Sequence, residues 1–215
     1  MRVDVWSDVV CPWCYIGKRR LESALESFPH RDDVEVVYHS FQLDPSTPRD
    51  ATVSITDHLA SKYGVSADRA RQMQEQVRAT AEAEGLDFRM DGIKPENTLD
   101  AHRLLHLAKA RGRQAELKEA LLDAHFTGAR RVGQPAALQE IAVAAGLDAE
   151  EVAATLADPS AYATDVGADI EQARRYGIRG VPFFVIDQKY GISGAQPAET
   201  LTAALSRAWM EQQAG

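Results

Sequence analysis

Arg2-Val3-Asp4-Val5-Trp6-Ser7-Asp8-Val9-Val10-Cys11-Pro12-Trp13-Cys14-Tyr15-Ile16-Gly17 is the stretch on which the reading of this chain turns. Its first residues, Arg2 to Trp6, alternate apolar and polar as a half-buried strand does. Beyond the two cysteines, Leu21, Ala24, Leu25 and Phe28 fall at i, i+3, i+4 and i+7. That spacing predicts a helix with one apolar stripe, leaving Lys18, Arg19 and Glu22 toward water. Val34-Glu35-Val36-Val37-Tyr38-His39 then predicts a second strand. Strand, helix, strand in this order implies a βαβ unit with parallel pairing and a right-handed crossover.

Outward from this unit the pattern changes. Pro45 and Pro48 break it, and from about Ser54 to Tyr176 helix follows helix. Three of these segments carry a full stripe: Ala101, Leu104, Leu105, Ala108; Leu117, Ala120, Leu121, Ala124; and Leu138, Ile141, Ala142, Ala145. Gly85, Gly112, Gly128 and Gly146 stand where helices would end, Pro135 and Asp148 where they would begin. Strand character returns at Phe183-Phe184-Val185-Ile186, with a turn at Asp187-Gln188 and a short strand from Tyr190 to Ile192. A last helix with the stripe Leu201, Ala204, Leu205, Ala208 follows Gly194-Ala195-Gln196-Pro197. The order is βαβ, a long helical insertion, then ββα. An α/β fold results, with 1–45 and 161–215 building one sheet domain and 46–160 a helical domain inserted into it.

Composition limits what such a chain does. Its 215 residues bury a substantial core, and a net charge of -8 argues against a phosphate backbone as partner. Lys18, Arg19 and Arg20 make only a short basic run, read as the solvated side of a helix. Met1 to Trp6 lacks the apolar core of an export signal, and no stretch reaches the length of a membrane span. The expectation is a soluble cytoplasmic protein with no nucleic-acid or membrane partner, a monomer or homodimer. Two cysteines cannot form the disulfide framework of a small secreted domain, so they need another explanation.

Cys11-Pro12-Trp13-Cys14 lies between the first strand and its helix, which puts both sulfurs in the first helical turn. Unpaired N–H groups and the positive end of the helix dipole favour a thiolate there. Cys11, nearest the helix end, is the candidate nucleophile. Cys14, three residues on and covered by the helix body, is the candidate resolving thiol. A zinc site would need two further ligands, and His30 and His39 lie in no ligand-like motif. His102 and His106 share a helix face, yet Arg103 stands where H-E-x-x-H would place its glutamate, so they read as ordinary packed or surface histidines and no metal is expected. Asp8 reads as a residue that shapes the loop before Cys11.

Three stretches together carry a resemblance: 6–17 quoted above, Ser40-Phe41-Gln42-Leu43-Asp44-Pro45, and Gly180-Val181-Pro182-Phe183-Phe184-Val185 with Gly191-Ile192-Ser193-Gly194-Ala195-Gln196. They resemble the DsbA family of thioredoxin-like oxidoreductases, most closely its cytoplasmic FrnE-like branch. The resemblance implies a thioredoxin-like fold with an inserted helical domain. It implies Cys11 as nucleophile, Cys14 as resolving thiol, and Pro182 as a cis-proline beside Cys11 that leaves the Val181 backbone to an extended substrate, with Pro12 and Trp13 as supporting residues. The activity implied is thiol–disulfide exchange without a bound cofactor, its partners being cysteine-containing client proteins, with glutathione as a redox partner. Trp13 carries no charge to stabilise a thiolate as a histidine would, so an intermediate oxidant is expected, between roughly −270 mV for thioredoxin and roughly −120 mV for the periplasmic oxidant. The same superfamily includes kappa-class glutathione transferases and hydroxychromene-carboxylate isomerases, whose active position is typically serine. For that alternative, Asn97 and Gln196 are candidates to line a small-molecule cleft. A third reading is a peptide-binding or chaperone module without turnover.

Overall fold

The computed structural model describes residues 1–214. Among them are four strands and nine α-helices. Strand β1 (Arg2–Ser7) is followed by α1 (Pro12–Glu26), a 3-10 turn at Arg31–Asp33, and β2 (Glu35–Ser40). β2 pairs parallel with β1, Val3 opposite Val36 and Val5 opposite Tyr38. After the insertion, β3 (Phe183–Ile186) pairs antiparallel with β1, and β4 (Tyr190–Ser193) antiparallel with β3. The sheet order is β2-β1-β3-β4, so the βαβ and ββα pieces share one sheet, as their patterns require.

Period-two alternation gives the sheet two different faces. Val3 and Val5 from β1, with Phe184 and Ile186 from β3, meet Leu21, Ala24 and Phe28 of α1 and the region just after it. Leu201, Leu205 and Ala208 of α9 (Ala198–Ala214) complete this core, with Ala204 partly buried beside them. Asp4 and Trp6 point the other way. There Trp6 and Val185 pack with Ala173 of α8 (Ala163–Arg175) and with Ile178. The β3–β4 turn is tight: Asp187 and Gln188 both have positive φ, and Lys189 N–H donates to the Ile186 carbonyl.

The chain divides into two compact units, Met1–Leu43 with everything from Ala168 onward, and Asp44–Gly167. The second seam falls inside α8, seven positions after the expected 160/161 seam, because the end of that helix packs on the sheet through Ala173. The inserted unit holds α2 (Ile55–Tyr63), α3 (Ala67–Ala83), α4 (Leu99–Ala110), α5 (Gln114–Phe126), α6 (Pro135–Ala144) and α7 (Ala149–Ala157). Helices α2 and α3 pack on each other, while α4 to α7 form a cluster around buried Leu104, Leu117, Leu121, Leu138 and Ile141. Caps are as the sequence indicates at Pro135, first in α6, and at Asp148, whose carboxylate accepts from Glu150 and Glu151 N–H. Gly128 differs: Thr127 caps α5, and Ala129 instead takes the left-handed conformation, φ 48.

Two charged residues are buried, and the first of them departs from the expectation that it faces water. Lys18 is buried and ion-pairs with Glu22 one turn on, its methylene stem covered by the helix surroundings. Arg103 is 2% exposed. It pairs with Asp100 (2.7 Å) and donates to the carbonyls of Thr155, Asp158 and Ala161. A helix end leaves carbonyls without partners, and this guanidinium supplies the donors at the end of α7.

Candidate active site around Cys11

β1 delivers the chain to Ser7, and a turn through Asp8, Val9 and Val10 swings it into α1. Asp8 is 1% exposed, and its carboxylate accepts from the N–H groups of Val9 and Leu43, each at 2.8 Å. It therefore shapes the loop. Cys11 is the N-cap of α1 and not part of its first turn: its backbone is extended (φ -95, ψ 113), and Pro12 opens the helix. The Cys11 carbonyl accepts from Cys14 N–H at 3.0 Å, which fixes Cys14 at the third helical position of the same turn. Neither cysteine is in a disulfide.

Cys11 and Cys14 are equally buried, each 3% exposed, whereas Trp13 between them is 41% exposed. Cys14 is covered as expected, and Cys11 is covered to the same degree. The Cys11 thiol donates to the Val181 carbonyl at 3.5 Å, although 170 positions separate them. The Val181–Pro182 bond is cis, as the resemblance implied. Pro182 is held from two sides. Its carbonyl accepts from Gly194 N–H at 2.9 Å, and a Cβ added to Gly17 would lie 2.9 Å from its Cγ. Only a glycine lets α1 approach the Pro182 ring this closely. Arg20 of α1 reaches the carbonyl of Ala195 at 2.5 Å, tying the turn before α9 to the same helix. These contacts bring Cys11, Cys14, Val181 and Pro182 together.

Asn97 and Gln196 are not brought together within either unit. Asn97, in the inserted unit, donates to the Thr47 carbonyl at 3.0 Å and accepts from Leu99 N–H. Gln196, in the sheet unit, donates to the Ser193 carbonyl at 2.9 Å. Both side chains brace their own turns. His102 is buried in α4, and His106 is half-buried on the same helix.

A cluster that the sequence reading missed lies on the other side of β1 from the apolar core. His39 faces Asp4 through Nε2 and Asp169 through Nδ1, both at 2.7 Å. Burial opposes a charge on this imidazole, but its hydrogen bonds to Asp169 and Asp4 outweigh burial and hold its pKa above the ordinary value. Burial likewise pushes the Asp4 carboxyl up, yet hydrogen bonds from His39 and Arg2 bring it below the usual range. A polar residue on an inward position of a strand, as Asp4 is, was the available signal.

Comparison with known proteins agrees with this architecture. Residues 2–206 match the family described as DSBA-like thioredoxin domain. A probable DsbA oxidoreductase from Streptomyces coelicolor is 52% identical and superposes with a TM-score of 0.94, over 98% of this chain and 91% of that one. A cytosolic disulfide reductase, DsbM from Pseudomonas aeruginosa, solved with glutathione, has a TM-score of 0.68 at 18% identity, over 98% of this chain and 100% of that one. A 2-hydroxychromene-2-carboxylate isomerase has a TM-score of 0.71 at 14% identity, over 99% and 98% of the two chains. The last two likenesses concern the fold alone.

Proposed function

Because the chain belongs to the DSBA-like thioredoxin-domain family, we propose that it is a thiol–disulfide oxidoreductase of the FrnE-like branch acting through Cys11 and Cys14. The observation that carries this reading is the Cys11 sulfur at the N-cap of α1, 3.5 Å from the Val181 carbonyl beside cis-Pro182, with Cys14 in the same turn. Cys11, as thiolate, attacks one sulfur of a substrate disulfide. The S–S bond breaks, a mixed disulfide forms, and the other substrate sulfur leaves as a thiolate that takes a proton from solvent. Cys14, as thiolate, then attacks the Cys11 sulfur and expels the second substrate sulfur. The substrate gains two electrons and the enzyme is left with a Cys11–Cys14 disulfide, which two molecules of a thiol such as glutathione reduce. Run backwards, the same steps oxidise a client, and the redox poise of the compartment sets the direction. An extended client strand beside Val181 fits the way peptides add to exposed backbone. Cysteine-containing proteins in the cytoplasm are the proposed clients.

Cys14→Ser tests the reading, since it removes the resolving thiol and leaves the attack by Cys11 intact. The variant is expected to retain client proteins from lysate as adducts that dithiothreitol releases, while the wild type catalyses insulin reduction by dithiothreitol. Recovery of glutathione adducts alone would favour a glutathione-dependent small-molecule enzyme of the isomerase or transferase kind. Absence of insulin turnover and of any adduct would favour a peptide-binding module.

A further inference from the structure

We infer that His39 is a positioning residue for the chemistry at Cys11: clamped between the carboxylates of Asp4 and Asp169 and stacked on Trp6, it fixes the apolar wall on which Val181 rests. The inference builds on the reading of Cys11 as the exchanging thiol. It starts from the donor inventory. A carboxylate offers only lone pairs, so an imidazole with a carboxylate oxygen 2.7 Å from each nitrogen must carry both protons to make two hydrogen bonds. Arg2 holds Asp4 as a carboxylate from the other side, its Nε 2.8 Å from the same Asp4 oxygen. Two cations and two anions therefore alternate, Arg2, Asp4, His39 and Asp169, which is how charge is kept where water is scarce.

The groups facing His39 are Asp4 and the Trp6 ring from β1 and Asp169 from α8. On its own strand, Ser40 N–H donates to the second Asp169 oxygen at 2.7 Å. Trp6 is held in turn by three contacts. Its ring stacks on His39 with centroids 4.4 Å apart and planes 16° from parallel. Its indole N–H donates to the Asp169 carbonyl at 3.0 Å, and Tyr176 meets it edge-on at 5.5 Å. Trp6 forms, with Ala173, Ile178 and Val185, the cluster against which Val181 and Phe183 pack, and the Val181 carbonyl receives the Cys11 thiol. The cluster that contains Trp6 thus lies between the imidazolium and the residue that touches the sulfur.

A neutral His39 has one N–H and can satisfy only one of its carboxylates, leaving the other facing a lone pair. The clamp is complete above the depressed titration of Asp4 and is lost as pH rises through the raised titration of His39. Reactivity at Cys11 should follow that loss, which a merely structural residue would not produce.

Histidine-labelled wild type, followed by nitrogen NMR from about pH 5 to 10, is expected to show His39 protonated on both nitrogens at neutrality, with a midpoint above about 6.5. Rates of insulin reduction and of iodoacetamide alkylation of Cys11 are then compared between wild type and His39→Gln. We expect the variant to be slower by roughly tenfold near neutrality, a fraction of the roughly hundredfold that a 1 Å misplacement costs. The ratio should fall toward one as pH passes the NMR midpoint. A ratio that stays flat through the midpoint, or a neutral imidazole at neutrality, would overturn the inference. If His39→Gln does not fold, the wild-type alkylation profile alone must break at the NMR midpoint, and a smooth profile overturns it. Should alkylation follow His39 while insulin is never reduced, the oxidoreductase reading fails and the positioning role stands.

Discussion

The two faces of β1 solve opposite problems with alternate residues of one short strand. Val3 and Val5 enter a core of aliphatic and aromatic side chains contributed by α1, β3 and α9, held by removal of apolar surface from water. Asp4 and Trp6 enter a layer in which an aromatic ring lies over a chain of alternating charges. The first face is built from aliphatic and aromatic side chains and is indifferent to pH between about 5 and 9. The second depends on protons and on directed hydrogen bonds, and it is the one whose cluster includes Val181 beside Cys11. Bulk stability and adjustment of the site are thus assigned to different sides of the same element.

The largest test removes a ring from the apolar face. Phe184 is fully buried, and Phe184→Ala should cost about 3–5 kcal/mol, transfer and cavity together. Urea unfolding should give the same loss at every pH between about 5 and 9, since none of the cluster's members titrates there. A loss that varied with pH would show the two faces to be coupled.

Asp169→Asn attacks the other face with almost no change of shape. It should cost roughly 1–3 kcal/mol near pH 6, where the doubly protonated His39 loses one charged acceptor. His39 has a raised folded-state pKa, so its contribution is complete below the unfolded value of about 6.5 and is lost as pH rises through the folded one. The gap between wild type and variant should therefore shrink in alkali, because a neutral imidazole then leaves one carboxylate without a donor and the new amide can supply one. A gap that grew with pH would mean that His39 is neutral in the folded protein.

What the sequence discloses follows the range over which each signal acts. Period-two and 3.6-residue patterns are local, so βαβ, the helical insertion and ββα were readable, as were the caps at Pro135 and Asp148. Cys11-Pro12-Trp13-Cys14 was readable as a candidate pair because it sits at the end of a recognisable strand, and Pro182 entered through the family resemblance. The charge cluster was not. Asp169 lies 130 positions from His39, and only the β1–β2 register together with the packing of α8 brings Asp4, His39 and Asp169 to one place. The burial of Arg103 was hidden for a similar reason. A polar residue between Ala101 and Leu104 looks like solvent face until the carbonyls at the end of α7, more than fifty positions on, are seen to use it. Gly17 stood inside the quoted motif, yet nothing in the motif tells which atom comes near it.

That glycine offers the finest test, because it lies where the apolar face reaches the site. A methyl group at Gly17 would sit 2.9 Å from Pro182 Cγ and 3.3 Å from Phe184 Cζ, so one of the two must yield. Phe184 is locked in the core, and the ring that moves is that of Pro182. Strain from such overpacking costs about 1–3 kcal/mol, and the gain in helix propensity returns about 0.8–1.0 kcal/mol of it. Gly17→Ala should therefore lose only about 1 kcal/mol in urea unfolding. Its effect on exchange should be selective. Displacing Pro182 disturbs the backbone beside which an extended client would lie, but a small disulfide needs only the Cys11 sulfur. Insulin reduction should slow several-fold while reduction of glutathione disulfide changes little, consistent with the sensitivity of rates to sub-ångström placement. Equal slowing of both would assign the Gly17 contact to the sulfur itself, and no slowing of either would mean that the Pro182 wall has slack to spare.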